Sequence, residues 1–169
     1  LTKSRQKIVD SMMAGINKKN HPHYYADSLV NADHSLQTLG KIDSLLKVYP
    51  DDHLIYLSKG DWYYKNGRYY NALKEYDNSA IVAQNESPKF LDKKAQALIK
   101  LNNLNDAINC YKKAAELNFD YNYQLAVAYE LGKKNDSAIK YYLLYSKSYP
   151  EEDRVKKHID SLYNIKKRE

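Results

Sequence analysis

The sequence predicts an all-α fold, an α-solenoid of stacked helical hairpins, and three observations lead to it. Apolar residues follow helical spacing along nearly the whole chain, as in Leu54, Leu57 and Tyr64. Turn-forming residues are sparse and leave segments of about 12–15 residues between them. A pattern of small and large residues recurs at intervals of 31 to 35 residues. No apolar run approaches the ~20 residues that a membrane-spanning helix needs.

The recurring pattern is a pair of small residues twelve positions apart, and each pair brackets a turn. Three clear copies begin at Gly60, Ala95 and Ala126, and a weaker copy begins at Ala26. A large residue lies three positions after the first small residue and another four after the second. In the clear copies these are Tyr63 and Tyr76, Leu98 and Tyr111, and Tyr129 and Tyr142. Helices cross closely only where side chains are small, so we expect Gly60 to lie against Ala72.

This spacing resembles the tetratricopeptide repeat (TPR), a helix–turn–helix unit of 34 residues. The resemblance covers roughly residues 20–152 and is clearest at 56–73, where Lys59 stands in place of the usual leucine. It places a degenerate repeat at 20–52 and three clear repeats at 53–87, 88–118 and 119–151. One hairpin cannot bury its apolar face alone, so the hairpins must stack. We expect an N-terminal flanking helix at 1–19 and a capping helix at 152–169, whose apolar stripe is Val155, Ile159 and Leu162.

The distribution of charge argues against a nucleic-acid-binding protein. The net charge is +6, but the basic excess sits at the two ends and only 4 of the 27 basic residues are arginine. Scattered lysines are typical of a solvated surface.

One cysteine cannot form an intramolecular disulfide, which is compatible with the cytoplasm or the periplasm. Because the chain opens at Leu1 and not at methionine, we expect a cleaved signal, a lipid anchor or another domain upstream. This favours the bacterial cell envelope, with the cytoplasm as the alternative.

Catalytic and metal-binding patterns are weak. The histidines of His21-Pro22-His23 have no cysteine or carboxylate cluster near them in sequence, so we interpret them as loop residues. Cys110 has no histidine at helical spacing and is interpreted as a packed or half-buried thiol. No glycine-rich phosphate loop or Gly-x-Ser-x-Gly elbow occurs. We therefore expect no enzymatic activity, catalytic residues, cofactor, metal or small-molecule substrate.

The 18 tyrosines are the unusual feature of the composition. Some are explained by packing within the repeats, as is Trp62. Others are not required by the pattern: Tyr24, Tyr64, Tyr70, Tyr123, Tyr145 and Tyr149. Tyrosine offers a rigid contact area with a polar tip and so suits interfaces. A tyrosine-rich codon usage explains the excess equally well.

The resemblance also implies a binding surface. In TPR proteins the first helices of successive repeats line a concave groove that binds peptides or partner helices. Counted from the small residues, that face holds Leu57, Asp61, Tyr64 and Lys65, then Asp92, Gln96, Ile99 and Lys100, then Tyr123, Val127, Glu130 and Leu131. The weaker copy extends it with His23, Asp27, Val30 and Asn31.

The groove residues argue against one kind of partner. Family members that clamp the carboxylate end of a chaperone tail use repeated lysine–asparagine pairs. Here Asp61, Gln96 and Val127 stand at the asparagine-like places, and Lys65 and Lys100 are the only cations. A helical or extended segment with apolar anchors suits this face better.

These observations together predict a non-enzymatic protein-interaction module, acting as an adaptor, assembly factor or scaffold. One alternative is a structural segment of a longer chain or envelope lipoprotein, with its groove filled in cis. Another is a binder of nucleic acid or an anionic surface through the basic end formed by Lys156, Lys157, Lys166, Lys167 and Arg168.

Overall fold

The computed structural model describes residues 21–166, together with Lys3, Lys7, Asp10 and Ser11. Residues 21–166 form nine α-helices and one 3₁₀ turn, with no strand among them. The helices are α1 (Pro22–Ala32), α2 (Leu36–Val48), α3 (His53–Lys65), α4 (Tyr69–Ala83), α5 (Pro88–Lys100), α6 (Leu104–Leu117), α7 (Asn122–Leu131), α8 (Asn135–Ser148) and α9 (Asp153–Lys166). The all-α prediction is confirmed. The flanking helix predicted at 1–19 lies outside the described residues, apart from the four named above, which are helical.

The chain divides into two compact units, the first ending at Glu86 and the second beginning at Ser87. In the first unit, α1 pairs with α2 and α3 pairs with α4, and α3 also packs on α1 and α2. In the second unit, α5 pairs with α6 and α7 pairs with α8, while α6 contacts α7 and α9 packs on α8.

Helix starts follow from short polar side chains that accept hydrogen bonds from the first free backbone N–H groups. Ser35 caps α2 by accepting from the N–H of Thr38, and Asp52 caps α3 by accepting from the N–H of Leu54. Ser87 caps α5 in the same way, with Pro88 at the first helical position. These residues explain why the helices begin where the sequence places its turns.

The turns inside three of the hairpins share one backbone conformation. Gly67, Asn102 and Lys133 each have a positive φ, at 71°, 58° and 54°, and each lies five residues before the small residue of its second helix. The N–H of the following residue donates to a carbonyl five positions back, a pattern that closes the end of the first helix. The sequence predicts a break at Gly132-Lys133, and the structure gives the left-handed conformation to Lys133.

The first hairpin is joined differently, in keeping with its weaker pattern. The loop between α1 and α2 has no residue of positive φ. Instead Asp33 accepts hydrogen bonds from the backbone N–H of Ser35 at 3.0 Å and from Thr38 Oγ1 at 3.1 Å. Asp33 also accepts a hydrogen bond from the hydroxyl of Ser35. This bond, followed by the one from the Ser35 N–H, lowers the pKa of Asp33 below its usual value.

The core of the first unit forms around Trp62, as its expected packing role predicts. Its ring is 1% exposed and lies in a cluster with Ala26, Val30, Ile42, Leu45, Val48 and Ile55. Burying such large side chains supplies most of the driving force for stacking the hairpins.

The small residue Gly60 lies against a tyrosine of the facing helix. A Cβ atom at this position would lie 2.3 Å from Cε1 of Tyr76 and 2.5 Å from its Cδ1. Gly60 therefore leaves room for the buried ring of Tyr76, which lies one turn after Ala72 on the facing helix. The expected approach of Gly60 to Ala72 stays a prediction, and both residues are buried.

Lys59 departs from the repeat pattern for a reason that the structure explains. Its Nζ lies 3.0 Å from Oδ1 of Asp43 on α2 and 3.0 Å from Oε1 of Glu75 on α4. Burial by itself lowers the pKa of Lys59, but the hydrogen bonds and charges of Glu75 and Asp43 outweigh it and raise that pKa. The lysine thus joins three helices of the first unit.

The second unit closes with the predicted apolar stripe of its last helix. Val155, Ile159 and Leu162 on α9 are all at most 5% exposed. Within the second unit the paired small residues Ala95 and Ala107, and Ala126 and Ala138, are fully buried. Among the described residues, no helix is both long and apolar enough to cross a membrane.

Candidate functional site

The predicted groove residues lie on the first helix of each hairpin: on α1 and α3 in the first unit, and on α5 and α7 in the second. Each unit therefore presents its own face, and the two are described separately. The first face is α1 with α3, and the second face is α5 with α7.

On the first face, side chains of α1 and α3 hold each other. Lys65 Nζ donates to Oδ1 of Asn31 at 2.8 Å and to the carbonyl of Val30 at 3.3 Å. The hydroxyl of Ser58 donates to Asp27. The charge of Lys65 and the carboxylate of Asp27 are thus both committed to contacts inside this unit.

Two predicted residues of the first face contribute almost no surface. Leu57 and Val30 are each 3% exposed. Helix α3 is covered by α1, α2 and α4, which leaves few of its positions open. The expected place of Leu57 and Val30 in an accessible groove is therefore corrected, while Tyr64 is half-buried and Lys65 exposed.

On the second face, α5 contributes one half-buried carboxylate and its hydrogen-bond donors. Asp92 Oδ1 accepts from Gln96 Nε2 at 3.0 Å and from Tyr111 Oη of α6 at 3.0 Å. Lys100 is exposed at the end of α5, and Ile99 beside it is half-buried. Burial and the nearby charge of Asp92 raise the pKa of the Tyr121 phenol.

Helix α7 contributes the more apolar part of this face. Tyr123 is 39% exposed and Leu131 is 51% exposed, with Val127 half-buried between them. Glu130 Oε2 accepts from Tyr142 Oη at 2.9 Å and lies 2.8 Å from Nε2 of His158 on α9.

One contact recurs in three hairpins and was missed by the sequence analysis. The tyrosine four positions after the small residue of the second helix donates its hydroxyl proton to a carboxylate on the first helix. The pairs are Tyr76 with Asp61 at 2.8 Å, Tyr111 with Asp92 at 3.0 Å and Tyr142 with Glu130 at 2.9 Å. The position of the acidic residue relative to the first small residue differs in each hairpin. In the sequence, therefore, only the constant position of the tyrosine indicates this contact. These bonds hold the carboxylates at set positions on the two faces.

A cleft lies beside α7, and we name it the aromatic cleft. It encloses about 460 Å³ and is lined by Tyr123, Tyr142, Tyr145, Glu152, Arg154, Val155 and His158. Tyr145 Oη donates to Glu152 Oε1 at 3.1 Å, and Tyr149 donates to Asp120. Burial and the bond to Glu152 raise the pKa of Tyr145 to about 12. Burial and the bond to Glu130 also raise the pKa of Tyr142. Tyr123 and Tyr145, which the repeat pattern does not require, therefore line this cleft, and Tyr149 lies next to Tyr145.

The remaining candidates form no chemical site in the described part of the chain. His23 Nδ1 lies 3.2 Å from Oδ2 of Asp52. Across residues 21–166 no three histidine, cysteine or carboxylate groups are arranged to hold a metal ion. Cys110 is half-buried. Of the basic end, Lys156 lies 3.6 Å from Asp153, while Lys167 and Arg168 fall outside the described residues.

Comparison with solved structures identifies the same architecture in other proteins. A crystal structure of MamA is similar with a TM-score of 0.66 and 21% identity, over 76% of this chain and 77% of that one. YrrB, described as a TPR protein with an unusual peptide-binding site, has a TM-score of 0.71 and 16% identity, over 99% and 86%. The C-terminal part of a TPR protein from Cytophaga hutchinsonii has a TM-score of 0.72 and 18% identity, over 86% and 58%. At such identities the likeness concerns the fold.

Sequence comparison is more specific about the family. No curated protein shows significant similarity to this chain. The tetratricopeptide repeat family model matches residues 26–88 and 93–153, which is well over half of the sequence. The expected resemblance is confirmed, and the chain belongs to the tetratricopeptide repeat family.

Proposed function

We propose that this chain is a non-enzymatic protein-interaction module whose first helices bind a segment of a partner protein. TPR proteins in general bind other proteins or peptides, and YrrB is described as having a peptide-binding site. The predicted repeat at 53–87 supplies a first helix to the face of the first unit, and those at 88–118 and 119–151 supply the two helices of the second face. The proposal makes the chain an adaptor, assembly factor or scaffold.

One observation carries the proposal most directly: the second face exposes apolar area beside fixed polar groups. Leu131 and Tyr123 are exposed on α7, and Lys100 and Gln96 are exposed on α5. Asp92 and Glu130 are held by phenol hydroxyls of α6 and α8. A surface with apolar anchors and immobilised polar groups loses little side-chain entropy when a partner binds.

The first test is an affinity pull-down from native extract with three forms of the protein. The face variant combines Lys100→Ala with Leu131→Ala, both at exposed positions on first helices. The control variant combines Lys113→Ala with Leu117→Ala, which are exposed on the second helix α6. Circular dichroism should show the same helix content in all three forms, because none of these four side chains is buried.

A partner that the wild type and the control retain, and that the face variant loses, is the expected result. A partner lost equally from both variants would contradict the proposed face. Absence of any specific partner would favour the alternative in which the face is covered in cis by another part of a longer chain.

A further inference from the structure

The aromatic cleft has walls of electron-rich rings. The ring of Tyr123 lies 5.5 Å from that of Tyr142 and 5.3 Å from that of Tyr145. Tyr149 continues the series at 4.6 Å from Tyr145, and His158 meets Tyr142 edge-on at 5.2 Å. Ring faces carry negative electrostatic potential and attract cations that approach them.

Carboxylates accept hydrogen bonds from the phenol hydroxyls of these rings. Tyr142 donates to Glu130, Tyr145 to Glu152 and Tyr149 to Asp120. A phenol that donates to a carboxylate becomes a weaker donor to anything else, and its ring becomes more electron-rich. The phenols of Tyr142, Tyr145 and Tyr149 therefore present their ring faces and not free hydroxyl donors.

Acidic groups lie in and next to the cleft. The carboxylate of Glu152 lines it, and those of Glu130 and Asp120 accept hydrogen bonds from tyrosines beside it. The lining also holds the guanidinium of Arg154 and the imidazole of His158, whose Nε2 lies 2.8 Å from Glu130. Arg154 is exposed at the rim, and His158 is 43% exposed. Three carboxylates thus lie in or next to a partly enclosed space, where charge–charge attraction is stronger than on an open surface.

We propose that the aromatic cleft binds one arginine side chain of the partner segment, a step that rests on the proposed function. A planar guanidinium stacks on tyrosine faces and pairs with a carboxylate through two parallel N–H groups. Lysine has a compact charge and lacks the stacking face, so it binds more weakly. The cleft volume of about 460 Å³ lies at the lower end of the roughly 300–1,000 Å³ typical of ligand sites. The partner segment is therefore one with an arginine among apolar residues.

The test uses short acetylated peptides that differ at one central position. The sequence Leu-Ala-X-Ala-Leu carries arginine, lysine or citrulline at X, and citrulline keeps the shape of arginine without its charge. Binding to the whole chain is followed by nuclear magnetic resonance, which detects complexes as weak as about 1 mM. The expected result is saturable shifts at α7, α8 and α9, with citrulline binding about tenfold more weakly than arginine.

Matched variants locate the site. Glu152→Gln removes a cleft carboxylate, and Glu151→Gln changes the adjacent exposed residue outside the lining. Glu152→Gln should weaken the arginine peptide about fivefold, Glu151→Gln should leave it nearly unchanged, and Arg154→Ala should strengthen it because a competing cation is removed. All three positions are exposed, so the fold is expected to survive each change.

Several outcomes would overturn the proposal. These are equal binding of the arginine and citrulline peptides, equal effects of the two glutamate variants, or no saturable shift at about 10 mM peptide. Shifts confined to α5 would leave the interaction face in place and remove the arginine site. If the pull-down yields a partner that the Glu152→Gln and Tyr123→Ala variants both retain, the arginine site is likewise removed and the interaction face stays. If the pull-down yields no partner, that result bears on the proposed function and not on the arginine site.

Discussion

Replacing Gly60 by alanine is expected to destabilise the first unit, although alanine is the better helix former. The new Cβ atom would lie 2.3 Å from Cε1 of Tyr76, a separation at which something must move. Tyr76 is 1% exposed, and its hydroxyl is held by Asp61 at 2.8 Å. The ring therefore has no open space to enter and cannot shift without loosening that hydrogen bond.

The magnitude follows from three contributions. Overpacking a close-packed core costs about 1–3 kcal/mol, and weakening a hydrogen bond to a charged group costs about 1.5–3 kcal/mol when it is lost altogether. The gain in helix propensity from glycine to alanine is about 1 kcal/mol. We expect a net loss of about 2 kcal/mol, which for a chain of this size lowers Tm by about 4–8 °C.

Gly40 supplies the matched control. It also lies inside a helix, α2, but apart from its chain neighbours and the backbone of its own helix no atom lies within 4 Å of the position that its Cβ would take. Gly40→Ala should therefore stabilise the protein by about 0.5–1 kcal/mol through helix propensity alone. Both variants are measured by thermal and urea unfolding, followed by circular dichroism.

A double variant tests the mechanism. In Gly60→Ala with Tyr76→Leu the ring atoms that meet the new Cβ are absent, so the alanine should cost little beyond the loss already caused by Tyr76→Leu. The reasoning is refuted if Gly60→Ala raises stability as Gly40→Ala does, or if its cost is the same whether or not Tyr76 is present.

Three further outcomes are expected. Glu75→Gln should lower the free energy of unfolding by about 1 kcal/mol, and the loss is modest because Lys59 is partly exposed and keeps Asp43 as an acidic partner. The pKa of Lys59 is raised in the folded state. The stability that the Lys59–Glu75 ion pair contributes is therefore present below pH 10.5 and disappears as the pH rises through the folded pKa. Lys133→Gly should stabilise by about 1 kcal/mol in urea unfolding, because φ is 54° there, and an unchanged midpoint would contradict this. Alkaline titration of labelled tyrosines by nuclear magnetic resonance should show Tyr145 with a pKa of about 12, which Glu152→Gln lowers toward 10. A Tyr145 pKa that Glu152→Gln does not change would contradict that contact.

Much of the fold was predictable because its signals are local. Helical periodicity, the turn-forming residues and the recurring small pairs each act within a few turns of chain. The burial of Trp62 and the apolar stripe of α9 followed from the same patterns, and both are confirmed. The left-handed turn position was predictable to within one residue, since Gly132 precedes the residue that adopts it.

The faces were less predictable because exposure depends on what covers a helix. Leu57 stands at a position counted as part of the groove, yet α3 is enclosed by α1, α2 and α4. Tyr123 lies at the equivalent position on α7, three residues before the first small residue of its repeat, and is 39% exposed. Periodicity gives the direction of a side chain and not the extent to which neighbouring helices cover it.

The sequence by itself determined the class of the molecule: an all-α chain of TPR hairpins, with its turns and the small residues at its helix crossings. Only the tertiary structure decided which distant side chains meet. It pairs Tyr76 with Asp61, sets Lys59 between two acids and gathers tyrosines of α7 and α8 beside α9. The physical reason is that helix formation and chain reversal are governed by short-range propensity, whereas a hydrogen bond or a cleft needs the lengths and orientations of side chains from separate helices to agree in space.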